Sequence, residues 1–103
     1  MNLYDAAKVL RSKNSGPFQI TLDILFDNEE LYQRVKGSGI ISRETISRLY
    51  RLPLNDVLEP VCYDNALGIK VTYNRPVSSG TAGDRDVYGA QQHGPLMELE
   101  IPD

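Results

Sequence analysis

One cysteine, one histidine and no tryptophan occur among 103 residues. A single thiol forms no internal disulfide, which suits a reducing compartment, and Cys62 reads as a small buried residue on a strand. His93 stands far from Cys62 in sequence, and one imidazole with one thiol makes no closed zinc site. Asp84 and Asp86 lack the spacing of a calcium loop. No Gly-Lys-Ser/Thr follows Ser79–Gly83, so there is no Walker loop, and no serine sits in a nucleophile elbow. No apolar run approaches the ~20 residues of a membrane span, and Met1–Ser12 lacks the apolar core of a secretory leader. Excess positive charge is also missing. A net charge of −3 and a pI near 5.1 oppose nucleic-acid binding, in which phosphate contacts dominate affinity. These absences lead us to expect a cytoplasmic protein that uses no metal, cofactor, nucleic acid or membrane.

With 41% hydrophobic and 24% charged residues, the chain has the balance of a globular domain rather than a disordered one. Its length suits a single domain over residues 1–103, with one thin core. A large enclosed active site is not expected from so thin a core, which directs attention to interfaces. The clearest element is Phe18–Phe26, where Phe18, Ile20, Leu22, Ile24 and Phe26 alternate with polar residues in the period of a strand. Gly16-Pro17 sets its start. Asp27 with Glu30 has the form of a capping box opening a helix, with Leu31, Tyr32 and Val35 buried and Gly37 and Gly39 ending it. Ser42 caps a second helix, with Ile41 and Ile46 placed for a hydrophobic staple and Pro53 limiting its extension. Val57–Asp64 and Ala66–Asn74 read as a hairpin turning at Asp64-Asn65, with Pro60 confining the first to a sheet edge. Leu96–Ile101 reads as a short last strand. Asn2–Leu10 is compatible with helix or strand, and the short linker after it favours a strand. The sum is an α+β domain: a mostly antiparallel sheet of four or five strands with two helices on one face, close in its elements to a ferredoxin-like sandwich.

Two polar clusters could carry chemistry. The first is Arg11-Ser12-Lys13-Asn14-Ser15-Gly16, read as a turn between core elements. Such a turn can present N–H groups and a guanidinium to a carboxylate or phosphate, although its residues are also ordinary for a solvated hairpin. The second lies in the long segment Arg75–Leu96, where Tyr88, Gln91, Gln92 and His93 bring aromatic, amide and imidazole groups together. Loops this long are either functional or disordered. His93 titrates nearest neutrality and is the candidate proton carrier, against the commoner structural role of a lone histidine. Ser42–Val57, with Arg43 and Arg51 expected in solvent, has the outline of a helix-turn-helix. Pro53 and Pro60 leave little room for a recognition helix, and the acidic charge opposes it.

The runs AKVLRSKNSGPFQITLDILF, ALGIKVTYNRP and DVYGAQQHGPLMELEIP resemble the small AtuA-related proteins, domains of unknown function linked to acyclic-terpene utilisation. The likeness spans nearly the whole chain, with DVYGAQQH its most specific run and RSKN-x-G the next. It extends to the ferredoxin-fold domain at the C-terminus of larger AtuA-like proteins, where an Arg-Ser-Gly-Asp-Lys-Gly turn precedes a strand. Arg11, Ser12 and Gly16 match its Arg, Ser and second Gly, whereas Lys13-Asn14 replaces Gly-Asp. LMELEI resembles the closing strand of that domain. The resemblance implies a detached small subunit that docks on an AtuA-like large subunit, in catabolism of carboxylic acids or their CoA thioesters. It assigns no catalytic role to any residue.

The leading expectation is therefore an accessory subunit that brings Arg11, Ser12, Lys13, Asn14, Tyr88, Gln91 and Gln92 to a shared site for a carboxylic acid or acyl-CoA, with His93 as the catalytic candidate. Two others stand beside it. One is a homo-oligomeric hydratase or isomerase with sites between copies, and the other a non-catalytic binding module.

Overall fold

The computed structural model describes residues 1–16, 18–74, 94–97 and 99–102. Its core element is β2 (Gln19–Leu25), which is paired on both sides. On one side lies β1 (Val9–Gly16), and on the other β4 (Gly68–Asn74), itself flanked by the short edge strand β3 (Val61–Tyr63). All three pairings are antiparallel, giving the order β1-β2-β4-β3. Around the sheet run a single-turn helix α1 (Leu3–Ala6), then α2 (Glu29–Ser38), α3 (Arg43–Tyr50) and a terminal turn α4 (Gly94–Met97). The fold is α+β, as the pattern of the sequence implies, and its layers are those of a ferredoxin-like sandwich. The described strands enter the sheet as two hairpins.

Register divides the sheet into two unlike faces. Leu10–Ile24–Ile69, Ser12–Leu22–Val71 and Asn14–Ile20–Tyr73 lie side by side on the inner face. Ile20, Leu22, Ile24 and Val71 are wholly buried there, in one cluster with Tyr32 and Val35 of α2 and Ile46 of α3. The Tyr50 ring of α3 packs 5.1 Å from that of Tyr73, which ties the second helix to the same face. The termini close the end of the core. Leu3 N–H donates to the Leu99 carbonyl and Ile101 N–H to that of Met1, burying Leu3, Leu96, Leu99 and Ile101.

Several expected boundaries are corrected. Arg11–Gly16 is not a turn: it makes up all of β1 after Val9 and Leu10, and its backbone is spent on the ladder with β2. The first segment is both helix and strand. Asn2 accepts from the Asp5 N–H and starts α1, and β1 begins at Val9. The expected last strand is instead helical at α4, where Pro95 suits a first helical turn, and Glu100 then forms an isolated bridge with Asn2. The cap of α2 is Asn28 rather than Asp27, because it is Asn28 that accepts the Leu31 N–H. Gly37 lies inside that helix, and Gly39, at φ 70°, ends it. Pro60 breaks the strand expected from Val57, leaving a bridge at Val57–Tyr73 and a ladder only from Val61. Phe18 lies outside β2 and is 55% exposed. Cys62 is exposed, as are its two neighbours on the edge strand β3.

Ser42 caps α3 as expected, its Oγ accepting the Thr45 N–H. Arg43 is half-buried rather than free in solvent. Its Nε donates to the Val57 carbonyl at 2.8 Å and its Nη2 to that of Leu54 at 3.0 Å, so it fastens the loop after α3. This use removes it from any nucleic-acid surface. Arg43→Ala should therefore lower unfolding free energy by about 2 kcal/mol, the scale of hydrogen bonds made by a charged group. The same change at exposed Arg48 should stay within about 0.5 kcal/mol in the same denaturation series.

Candidate functional site

Alternation along β1 splits the first polar cluster in two. Arg11 and Lys13 point to the outer face, while Ser12 and Asn14 share the inner face with Leu22 and Ile20. Ser12 is buried and Asn14 half-buried, so these two belong to the core side of the sheet. Tyr88, Gln91, Gln92 and His93 lie outside the described residues. The structure thus brings together Arg11 and Lys13 of the expected set.

The outer face places a row of side chains across all four strands: Arg11, Asp23, Lys70 and Val61. Asp23 is the anomaly in that row. It is a carboxylate on the central strand with only 8% of its side chain exposed, and Arg11 and Lys13 gather on it. Arg11 Nε lies 3.1 Å from Asp23 Oδ2 and Lys13 Nζ 4.0 Å from the same oxygen. On the far side Lys70 Nζ sits 5.7 Å from the centre of the Tyr63 ring, a cation–π contact. Two cations therefore gather on one carboxylate and a third lines the same face, on a chain that is acidic as a whole. Beyond this row, Thr21 faces Thr72 and Gln19 donates to Asn74, so that end of the face is polar.

The other end is apolar. Leu25, Gly68 and Tyr63 follow one another across β2, β4 and β3. Glycine at the centre of that row lets Leu25 lean across it, since a Cβ there would come within 2.8 Å of Leu25 Cδ2. Beside them lies a concavity of about 270 Å³, with Leu25, Tyr63 and Ala66 at its apolar end and Arg11, Lys13 and Lys70 at its charged end. A second hollow, of about 430 Å³ beside Tyr4 and Ala7–Leu10, has Lys8 as its one charged group. The smaller hollow is the one in which charges converge, and we take it as the candidate site.

Sequence reading missed Asp23, Lys70, Leu25, Tyr63 and Gly68. Their signal was the odd positions of β2 and the matching positions of β4, which define an outer face once the register is known. Among the described residues no group of His, Cys, Asp or Glu is placed to hold a metal, and no helix is long and apolar enough to cross a membrane.

Away from this face, Asp64 ties the β3–β4 connection to α2. It accepts from the Tyr32 hydroxyl and, at 2.9 Å, from Lys36 Nζ. Both donors hold the Asp64 carboxyl below the usual range, with Tyr32 the larger influence. Tyr32 is pushed well above the ordinary phenol value, first by burial and then by the Asp64 bond.

The chain belongs to the DUF4387 family, a domain of unknown function whose sequence model matches residues 3–100. The match covers almost the whole chain, so the row on the outer face lies within the family domain. No curated protein and no solved structure matches the chain.

Two measurements test this geometry. A double-mutant cycle of Arg11→Gln and Asp23→Asn should give a coupling of about 0.5–1 kcal/mol, small because Arg11 is 58% exposed and solvent screens the pair. A depressed carboxyl favours the folded state above its unfolded pKa of about 4, and that gain fades as pH falls through the lower folded value. Stability of the wild type should thus drop on acidification through that window, and Asp64→Asn should flatten the drop in a pH series of denaturation curves.

Proposed function

We propose that this chain is a small accessory subunit of an AtuA-like two-component protein that works on carboxylic acids or their CoA thioesters. Its outer sheet face is the part it adds to a shared site. The observation that carries this reading is the convergence of Arg11, Lys13 and Lys70 on one hollow of a face that the core does not use. Guanidinium and ammonium groups so placed match a carboxylate or a CoA phosphate, and Arg11 can engage either through its planar fork. A domain of this size closes one thin core and leaves the other side of its sheet to be finished by something else. The partner is indicated by the resemblance of the chain to the C-terminal domain of larger AtuA-like proteins, where the two parts are fused. Tyr88, Gln91, Gln92 and His93 belong to the most specific run of that resemblance. On this reading they serve the same shared site, with His93 as the proton carrier.

Co-expression with an AtuA-like large subunit, followed by size-exclusion chromatography at micromolar concentration, tests the proposal. The two chains should elute together. Separate elution overturns it.

A further inference from the structure

The outer face carries more than a charge. Its hollow pairs a cationic end with an apolar end, and each end restricts what fits. At the charged end Arg11 meets Asp23 through Nε, one of the five N–H donors of its guanidinium. The carboxylate of Asp23 balances one of the three cations, so the hollow retains an attraction for a further anion. A doubly charged phosphate meets twice the repulsion from Asp23 and twice the attraction of the cations, so the choice between the two anions falls to geometry. Phosphate sites are also commonly built from free backbone N–H groups at helix starts or nests, whereas the amides here belong to ladders between strands.

At the other end, Leu25 leans over Gly68, within 2.8 Å of where a Cβ would stand. The notch that remains is lined by Leu25, Tyr63 and Ala66, so its walls are hydrocarbon and ring. A volume of about 270 Å³ falls just short of the ~300–1,000 Å³ of clefts that take drug-sized ligands. A nucleotide-bearing thioester does not fit inside. A short acid does.

We infer that this hollow binds a short-chain aliphatic monocarboxylate, its carboxylate held by Arg11, Lys13 and Lys70 and its hydrocarbon end seated in the notch against Leu25, Tyr63 and Ala66. The inference rests on reading the outer face as a site for carboxylic acids. It adds that this chain by itself selects the acid group and a short apolar tail.

Titration of the isotope-labelled full chain with acetate, butyrate and hexanoate at constant ionic strength, followed by backbone amide shifts, is the test. Saturable shifts should centre on Arg11, Asp23, Leu25, Gly68 and Lys70. Affinity should rise about threefold to fourfold for each methylene added until the notch is full, as expected for burial of a CH₂ group. Arg11→Gln and Lys70→Gln should each weaken butyrate binding severalfold. Gly68→Ala, which drives a methyl against Leu25, should leave acetate binding and remove the gain with chain length. If Gly68→Ala does not fold, Leu25→Ala replaces it, and the gain per methylene should shrink. The inference is overturned if no shift saturates, or if inorganic phosphate binds as tightly as hexanoate and chain length has no effect. Failure here with intact co-elution removes the ligand and keeps the subunit, whereas carboxylate binding without co-elution does the reverse.

Discussion

Strand β2 is hydrogen-bonded on both edges, and its alternation decides what each face of the molecule can be. Ile20, Leu22 and Ile24 point inward and are fully buried, while Thr21, Asp23 and Leu25 point outward. Burying each of those three aliphatic side chains stabilises the fold by roughly 1.5–3 kcal/mol. A slip of one residue would turn all three out and carry Asp23 into the core. The loss would rival the whole stability of an ordinary domain, about 5–15 kcal/mol. The register is thus fixed by the core, and the polar row is fixed with it. Arg11 and Lys70 stand on either side of Asp23 because their partners on the inner face must meet Ile24, Leu22 and Val71.

That coupling explains how a surface with three clustered cations persists on an acidic protein. Mutual repulsion among Arg11, Lys13 and Lys70 is relieved by Asp23, which long side chains wall off from water. A carboxylate so placed gives up hydration, and its pairing returns only part of that cost. Such a pair adds little to stability, so its value lies in where it holds the guanidinium. Lys70 is steadied differently, over the ring of Tyr63. Asp23 and Tyr63 therefore keep the charged groups spread across the face rather than collapsed into the solvent, at two sides of one hollow.

Much of the fold was legible in the chain. The alternation of Ile20, Leu22 and Ile24, the cap at Ser42 and the pairing of the two Val- and Tyr-rich runs all follow from elementary patterns. Arg11–Gly16 was misread because Ser, Lys, Asn and Gly favour turns, whereas pairing with β2 overrides that preference. The same local bias hid the site. Arg11 and Lys13 stood out as charges, but Asp23 looked like one of the solvent-facing positions of an amphipathic strand. Gly68 carries no signal of its own in the chain, and its place beneath Leu25 appears only when the paired strands are set side by side. Pro95 is a further case: the apolar residues after it fit a strand, and the proline suits the first turn of a helix.

The energetics of an open hollow give the arrangement its logic. Exposed ion pairs contribute about 0.2–1 kcal/mol each, because water competes for both partners. Three such contacts and two buried methylenes together give about 4.6 kcal/mol at best, which corresponds to a dissociation constant no tighter than about 0.4 mM. Millimolar binding is weak for a receptor and suitable for half of a site. If a larger chain covers the outer face, water leaves, the effective dielectric falls and each contact with Arg11 or Lys70 strengthens. The coupling is reciprocal: whatever factor the covering chain adds to the affinity for the acid, the acid adds to the affinity for the covering chain. A thin domain with one finished face and one charged, notched face would then sense both at once, and neither would bind tightly without the other.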